Sequence, residues 1–230
     1  MSVLVAGGTG GCGQLVVQRL IEQGTSVRVL TRSPQRISQL GPVEVCQGTV
    51  LSQEDCRRAV ESCRTVVCTI GATVDDVGGQ LVDGDGIINL ARAAVDAKVE
   101  RFILVSSLGV GDSWGWMPYP VRWFFQLHGE VPILQEKARS EAYVRSIKIA
   151  WTILRPGFLT NSLMHTEPLL LSPSGRVPGI TSRQAVADVV VRCLDCDRAV
   201  RQTFTVVDGW LKKALWRGEP AQLDVPWQAW

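Results

Sequence analysis

The sequence has little histidine and no excess of either sign of charge. Its 230 residues include two histidines, 24 basic and 22 acidic side chains, which give a formal net charge of +2. A net charge this small excludes the strong positive field that attracts nucleic acids or anionic lipids, so neither is expected as a partner. The sequence also lacks a run of roughly 18 apolar residues, so no membrane span is expected.

The seven cysteines are an odd number and are scattered over the chain. This pattern favours reduced, mostly buried thiols over a disulfide framework. Cys193 and Cys196 form one C-x-x-C pair, but a zinc site would need a second pair or nearby histidines, and only His128 and His165 are present. We therefore expect buried helix cysteines and no metal. Because no secretory signal peptide is recognisable, we also expect a cytoplasmic protein.

Apolar runs alternate with helical patterns along the chain. Strands are predicted at residues 2–6, 26–31, 43–46, 65–70, 101–106, 150–154 and 202–207. Helices are predicted at residues 14–23, 52–62, 83–97 and 133–146, and from a cap at Thr181 or Ser182 through Leu194. Such alternation predicts an α/β fold with a doubly wound parallel sheet, the Rossmann arrangement. We expect a single domain over residues 1–230, with a small C-terminal substrate lobe made of insertions.

The first predicted strand and helix are joined by the glycine-rich stretch AGGTGGCG. The glycines match two motif spacings. Gly8, Gly10 and Gly13 fit G-x-G-x-x-G, while Gly7, Gly10 and Gly13 fit G-x-x-G-x-x-G. Glycine permits a tight turn and lets backbone N–H groups approach a pyrophosphate, which the positive end of the following helix attracts. The strand before and the helix after make this a predicted dinucleotide site.

The second predicted strand indicates which dinucleotide is bound. An NAD-selective site usually carries an acidic residue at the end of this strand, but here the stretch is VRVLTRSPQR, without an acid. Thr31, Arg32 and Ser33 offer a guanidinium between two hydroxyls, which suits a 2′-phosphate. NADPH is therefore favoured over NADH, and a merely solvated Arg32 is the alternative.

Several stretches together resemble the atypical short-chain dehydrogenase/reductase family, the NAD(P)H-binding group that includes NmrA-like proteins and biliverdin-IXβ/flavin reductases. They are VLVAGGTGGCGQLVVQRL, VRVLTRSP, VVCTIGA, DGDGIINLARAAVDAKVERFILVSSLGV and KARSEAYVRSIKIAWTILRPGFLTN. The resemblance extends over about residues 2–208. It is specific for the fold and much less so for the function, because such folds carry many activities.

The resemblance implies a role for each matching position. The pyrophosphate would be held by Gly7, Thr9, Gly10 and Gly13, and the 2′-phosphate by Arg32. The stretch Ile70, Gly71 and Ala72 would pass under the adenosine and ribose. Ser106 and Ser107 would lie beside the nicotinamide, and Pro156, Gly157 and Phe158 would close over its carboxamide.

One departure from the family concerns the chemistry. Catalytic members of the wider superfamily use Tyr-x-x-x-Lys, in which the tyrosine exchanges a proton with the substrate and the lysine lowers its pKa while binding the ribose. Here the candidate lysine is Lys137, and Ile133 stands four residues before it. Tyr119 and Tyr143 are the only tyrosines, and neither precedes a lysine by four. The usual proton donor is therefore absent.

Two functions are compatible with this absence. In the first, the protein is an NADPH-dependent reductase of a planar conjugated acceptor such as a flavin, quinone or bilin, which takes its proton from solvent. Ser106 would orient the acceptor and Lys137 would hold the ribose. In the second, the protein binds NADP(H) without turnover and acts as a regulatory or assembly factor. Each residue also has a plainer interpretation: a strand-end hydroxyl for Ser106 and a solvated helix lysine for Lys137.

An aromatic insertion at residues 111–130 includes the stretch SWGWMPYPVRWFFQL. Its rings belong to Trp114, Trp116, Tyr119, Trp123, Phe124 and Phe125. They would receive a flat substrate, form a patch for a partner or membrane surface, or pack as a lid. The irregular tail at residues 209–230 carries four more tryptophans, which would dock on the core, dimerise or meet a partner.

Overall fold

A central sheet of eight strands organises the part of the chain that the computed structural model describes, which is residues 2–37, 40–72, 82–161, 168–171 and 179–208. The strands are β1 Ser2–Ala6, β2 Ser26–Thr31, β3 Glu44–Gln47, β4 Cys63–Cys68, β5 Arg101–Val105, β6 Ala150–Pro156, β7 Phe158–Thr160, β8 Pro168–Leu171, β9 Ile180–Ser182 and β10 Gln202–Asp208. The sheet order is β3-β2-β1-β4-β5-β6-β10-β8, and β7 pairs separately with β9. Only the pairing of β8 with β10 is antiparallel.

Helices cover both faces of this sheet. They are α1 Gly11–Glu22, α2 Gln53–Val60, α3 Ile87–Asp96, α4 Tyr119–Leu127, α5 Val131–Ser146 and α6 Arg183–Cys193. In β1, Val3 and Val5 pack into the core on the side of α1 and α6, whereas Leu4 and Ala6 pack with α2 and α3. Burial on both faces explains why β1 and β5 are apolar along most of their length. The predicted doubly wound α/β fold is confirmed.

The first helix begins earlier than expected. We predicted a start at residue 14, but α1 begins at Gly11, and Gly10 is its N-cap with an extended backbone. The glycines that weaken a helical pattern in the sequence therefore lie inside the first turn. A second difference precedes α3, where residues Val82–Gly86 form a wider π-helical turn.

The aromatic insertion at residues 111–130 contains a helix that we did not predict. A 3-10 turn at Gly111–Trp116 is followed by α4 at Tyr119–Leu127. Pro118 is the N-cap and Pro120 lies in the first turn, where a missing N–H costs no hydrogen bond. The two prolines of this segment thus lie at the start of a helix and do not interrupt it.

The region after β6 contains short strands that we did not predict. Strands β7 and β9 have three residues each and β8 has four, which is too short for a hydrophobic period to be recognised in the sequence.

The division into one domain with a small substrate lobe stays a prediction, and the tail at 209–230 lies outside the described residues. None of the described helices combines the length and the apolar character needed to cross a bilayer.

A buried ionic cluster joins the second half of the sheet to α5. Arg155, the penultimate residue of β6, donates from Nε and a terminal nitrogen to the carboxylate of Glu141 at 3.0 and 2.6 Å. The other terminal nitrogen of Arg155 contacts Asp112 at 2.8 Å, and Arg145 contacts Glu141 at 2.7 Å. Arg155 and Glu141 are almost fully buried, so each charge depends on the other for compensation.

Replacing Glu141 by glutamine tests the importance of this cluster. The variant leaves the Arg155 guanidinium buried with half of its charge compensation removed, and we expect the free energy of unfolding to fall by about 3 kcal/mol. Urea denaturation measures this. Glu22→Gln is the matched control, because that carboxylate is exposed and should change stability by less than about 0.5 kcal/mol. Equal stabilities of the two variants would show that the cluster contributes little.

Candidate functional site

The glycine loop between β1 and α1 is held by close backbone contacts. Gly7 has φ +90°, and its carbonyl accepts from the Gly10 N–H at 3.0 Å. A Cβ on Gly13 would lie 2.1 Å from the Gly7 carbonyl oxygen, and a Cβ on Gly8 would lie 2.7 Å from Val29. Gly7, Gly10 and Gly13 therefore form the loop register, whereas Gly8 is required by packing against β2.

The N-terminus of α1 is open to an anion. Gly10 offers no side-chain cap, and the first turn contains no acidic residue. The N–H groups of this turn lack intrahelical partners and carry the positive end of the helix dipole. Thr9 lies in the turn just before. This cradle of backbone donors fits a dinucleotide pyrophosphate, the group predicted for it.

The residues after β2 lie at the carboxyl edge of the sheet, as the glycine loop after β1 does. Thr31 is buried, and its hydroxyl accepts from the Ser33 N–H at 3.0 Å. Arg32 is exposed, and no acidic side chain of the described residues forms an ion pair with it. The position suits contact with a 2′-phosphate, and that role stays a prediction.

Lys137 is not a solvated helix lysine. Its side chain is buried in α5 and pairs with the Oδ1 atom of Asp83, which is fully buried in the π-helical turn. The Oδ2 atom of Asp83 accepts from the Ala72 N–H at 2.6 Å. A Cβ on Gly71 would lie 3.7 Å from the Lys137 Nζ atom. One carboxylate thus ties the predicted ribose ligand to the loop after β4, of which Ile70 packs partly into the core.

Sequence reasoning did not identify Asp83 as a site residue. The signal for it was an acidic residue inside the segment DGDGIINLARAA, at the start of a predicted helix with an apolar face. An acid there is typical of an exposed first turn. Only the π-helical turn brings the carboxylate inward, which explains why periodicity did not indicate it.

Ser106 and Ser107 follow β5 directly. Ser106 donates its N–H to the Leu154 carbonyl at 2.7 Å. Its hydroxyl is buried, with no hydrogen-bond partner among the described residues. Ser107 is half-buried, and its hydroxyl donates to the Leu108 carbonyl at 3.0 Å. Of these two serines, Ser106 alone has a hydroxyl without a partner among the described residues, and a buried hydroxyl without one is costly.

Pro156, Gly157 and Phe158 link β6 to β7 at this edge. The Gly157 N–H donates to the Val206 carbonyl at 3.0 Å, and a Cβ on Gly157 would lie 2.1 Å from the Gly179 carbonyl oxygen. Pro156 is buried, whereas the Phe158 ring is 44% exposed. Glycine is thus required for the pairing of β7 with β9, which presents the Phe158 ring to solvent.

The aromatic insertion is divided between two environments. Met117 and Phe125 are buried against Leu134 of α5, with Trp114 partly buried beside them. The Phe125 ring lies 5.7 Å from that of Phe158. The opposite face of α4 is exposed and carries Tyr119, Trp123, Phe124 and Leu127. The inner face packs as a lid element, and the outer face remains an apolar surface.

Potential metal ligands do not gather in the described part of the chain, where no cluster of three or more is present. Cys193 is the last residue of α6, and burial raises the pKa of its thiol to about 12. Cys196 lies beyond the helix and is only partly buried, so the expectation of two buried helix cysteines holds for Cys193 alone.

Comparison with known proteins agrees with this geometry. Residues 7–197 match a family described as NAD(P)H-binding. The chain belongs to this family. Membership confirms the resemblance to atypical short-chain dehydrogenases/reductases and establishes NAD(P)H as the class of ligand, without deciding between NADH and NADPH.

Two similar proteins are a chloroplastic protein and a photosystem II assembly factor. TIC 62, a chloroplastic protein of Oryza sativa, is 31% identical over 223 residues, which cover 85% of this chain and 43% of TIC 62. The photosystem II assembly factor Ycf39 of Synechocystis is 28% identical over 218 residues, which cover 90% of this chain and 62% of Ycf39. The chain therefore spans about half the length of these relatives.

Solved structures share the fold. ChuY, an anaerobillin reductase of Escherichia coli, superposes with a TM-score of 0.77 at 21% identity, covering 91% of this chain and 98% of ChuY. A short-chain dehydrogenase/reductase of Veillonella parvula in complex with NADP has a TM-score of 0.75 at 19% identity, covering 90% and 94%. At such identities the likeness shows the fold alone.

Substituting Gly13 by alanine tests the cradle. The added methyl group meets the Gly7 carbonyl, so α1 must move away from the loop, and we expect a loss of about 1–3 kcal/mol in stability. NADPH affinity should fall at least roughly tenfold, because the donors move with the helix. Gly115→Ala is the control, since a Cβ there meets nothing within 4 Å. Thermal melts and calorimetric titration with NADPH measure both effects, and equal behaviour of the two variants would contradict the assignment.

Proposed function

We propose that this protein is an NADPH-dependent reductase of a planar conjugated acceptor such as a flavin, quinone or bilin. The observation that carries the proposal is the hydroxyl of Ser106, which is buried at the carboxyl edge of the sheet without a hydrogen-bond partner among the described residues. A ligand atom or an ordered water would satisfy this hydroxyl. A carbonyl of an acceptor or of the nicotinamide carboxamide would do so.

The chain's own residues would hold the cofactor from several elements. The N–H groups at the start of α1, with Thr9, would bind the pyrophosphate, and Arg32 would bind the 2′-phosphate. Ile70, Gly71 and Ala72 would support the adenosine and its ribose, and Lys137 would bind the second ribose. Ser107, Pro156, Gly157 and Phe158 would border the nicotinamide, which when bound supplies a hydride.

Proton supply in this site does not involve a side-chain phenol. Ile133 occupies the position of the family's tyrosine and is buried. The Lys137 side chain is already paired with the Asp83 carboxylate, and we assign it to binding rather than to proton transfer. Acceptors that take a proton from solvent therefore suit this site, and conjugated ring systems do so. Ser106 would orient the acceptor, and the half-exposed Phe158 ring would stack against it.

A second candidate function is that of an NADP(H)-binding assembly or regulatory factor without turnover. The observation that favours it is the exposed outer face of α4, where Tyr119, Trp123, Phe124 and Leu127 form an apolar surface of the kind used for protein contacts. The names of similar proteins support each candidate, since ChuY is an anaerobillin reductase and Ycf39 is an assembly factor. A cytoplasmic location stays a prediction.

Oxidation of NADPH with a panel of flavins, quinones and bilins separates the two candidates. We expect turnover with at least one acceptor, and we expect Ser106→Ala to lower that rate about tenfold, as the loss of one hydrogen bond would. Ser107→Ala is the matched control, because its hydroxyl is satisfied by Leu108. Tight NADPH binding without turnover of any acceptor would overturn the reductase and favour the second candidate.

Reversing the charge of Arg32 tests the preference for NADPH. Arg32→Asp should weaken NADPH binding by about 1–3 kcal/mol, the range of a charge-assisted hydrogen bond, and leave NADH binding nearly unchanged. Titration calorimetry with both dinucleotides measures the effect. Arg92→Asp carries the same charge change on an exposed face of α3 and should alter neither affinity. Equal weakening of NADPH and NADH in Arg32→Asp would show that Arg32 does not contact the 2′-phosphate.

A further inference from the structure

Two helices direct their positive ends to the same place at the carboxyl edge of the sheet. Helix α1 begins at Gly11, and α6 begins at Arg183, after the Ser182 side chain accepts from the Ala185 N–H at 3.1 Å. The first turns of both helices lack acidic residues. The two helix dipoles therefore reinforce each other without a nearby carboxylate in either first turn to offset them.

Arg183 adds a full positive charge to this place. A Cβ on Gly11 would lie 2.8 Å from its Cδ atom and 2.9 Å from its Nε atom, so the side chain passes directly over the first turn of α1. Burial raises the pKa of the neighbouring Cys12 thiol to about 11, and the charge of Arg183 acts in the opposite direction. The guanidinium is thus close enough to α1 to influence groups in its first turn.

The guanidinium of Arg183 is not neutralised by the described residues. Its hydrogen-bond partner there is the Oδ1 atom of Asn161, at 2.7 Å, and no carboxylate of those residues lies within ion-pair distance. Other arginines of the second half contrast with it, since Arg155 is paired with Glu141 and Arg139 with Asp85. A cation above two helix N-termini, with no counter-charge among the described residues, adds to the positive potential that an incoming anion would meet there.

We propose that Arg183 binds the diphosphate of the dinucleotide, on the side opposite the N–H groups of α1. The planar guanidinium would donate to phosphate oxygens through its fork of N–H groups, while the Gly11 and Cys12 N–H groups donate from below. Because α6 follows the region after β6, this contact would join the second half of the fold to the glycine loop. The proposal rests on the cofactor site of the proposed function but not on the reductase activity.

Arg183 and Arg32 differ in which part of the cofactor they would recognise. The diphosphate is common to NADPH, NADH and ADP-ribose, whereas the 2′-phosphate is present only in NADPH and in 2′-AMP among these ligands. Arg183 should therefore contribute equally to the first three ligands and nothing to 2′-AMP. Binding of these four ligands can therefore distinguish a contact with the diphosphate from a contact with the 2′-phosphate.

Titration of Arg183→Gln with ADP-ribose, NADPH and 2′-AMP tests the proposal. ADP-ribose has no nicotinamide, so its binding is independent of any turnover. We expect the variant to bind ADP-ribose and NADPH about 10- to 100-fold more weakly and 2′-AMP as well as the unaltered protein does. Arg183→Lys keeps the charge without the planar fork and should recover part of the loss. Arg192→Gln, in the last turn of the same helix, is the control and should bind all three ligands normally.

Two results would overturn the proposal. The first is unchanged ADP-ribose binding in Arg183→Gln. The second is a loss of 2′-AMP affinity as large as the loss of ADP-ribose affinity in both Arg183 variants, which would indicate a general structural effect. If the unaltered protein failed to bind ADP-ribose at all, the proposal would also fail. If the unaltered protein bound ADP-ribose in the expected manner but turned over no acceptor, the reductase would fail and the role of Arg183 would stand.

Discussion

The contact between Gly13 and the Gly7 carbonyl determines how the rest of the site is arranged. Because no Cβ separates them, α1 begins directly above the carboxyl end of β1 and its free N–H groups lie at the edge of the sheet. The same closeness lets Arg183 of α6 cross over Gly11. A side chain at either glycine would lift the helix, and the donors from the two halves of the fold would no longer converge.

Two buried charge clusters frame the other end of the site. Asp83 links Lys137 of α5 to Ala72 after β4, and Glu141 of the same helix links to Arg155 of β6. Helix α5 is thereby anchored to both sides of the edge where Ser106 lies. With Ile133 in place of a phenol, the function we propose for this region is to bind and orient an acceptor that needs no proton from the protein.

Elements with a clear hydrophobic period could be predicted from the sequence. Features that depend on a single tertiary contact could not. Strands β1, β2, β5 and β10 are long enough for the pattern of their apolar residues to be recognised, and the glycine loop stood in the expected strand–helix context. Helix α4 was missed because two prolines suggested a break, although both lie where a helix tolerates them. The local sequence did not distinguish Asp83 or Arg183 from ordinary surface residues, since their partners are distant in sequence. The register of the glycines became clear only from the φ of Gly7 and the space around Gly13.

The central claim is that the carboxyl edge of the sheet binds NADPH and leaves one face of the nicotinamide open to a flat acceptor. A crystal structure of the NADPH complex tests it most directly. The account predicts a nicotinamide beside the Ser106 hydroxyl, with an open space on its free face bordered by Phe158. A nicotinamide covered on that face by Trp114 or Phe125 would contradict the account, because no acceptor could then approach.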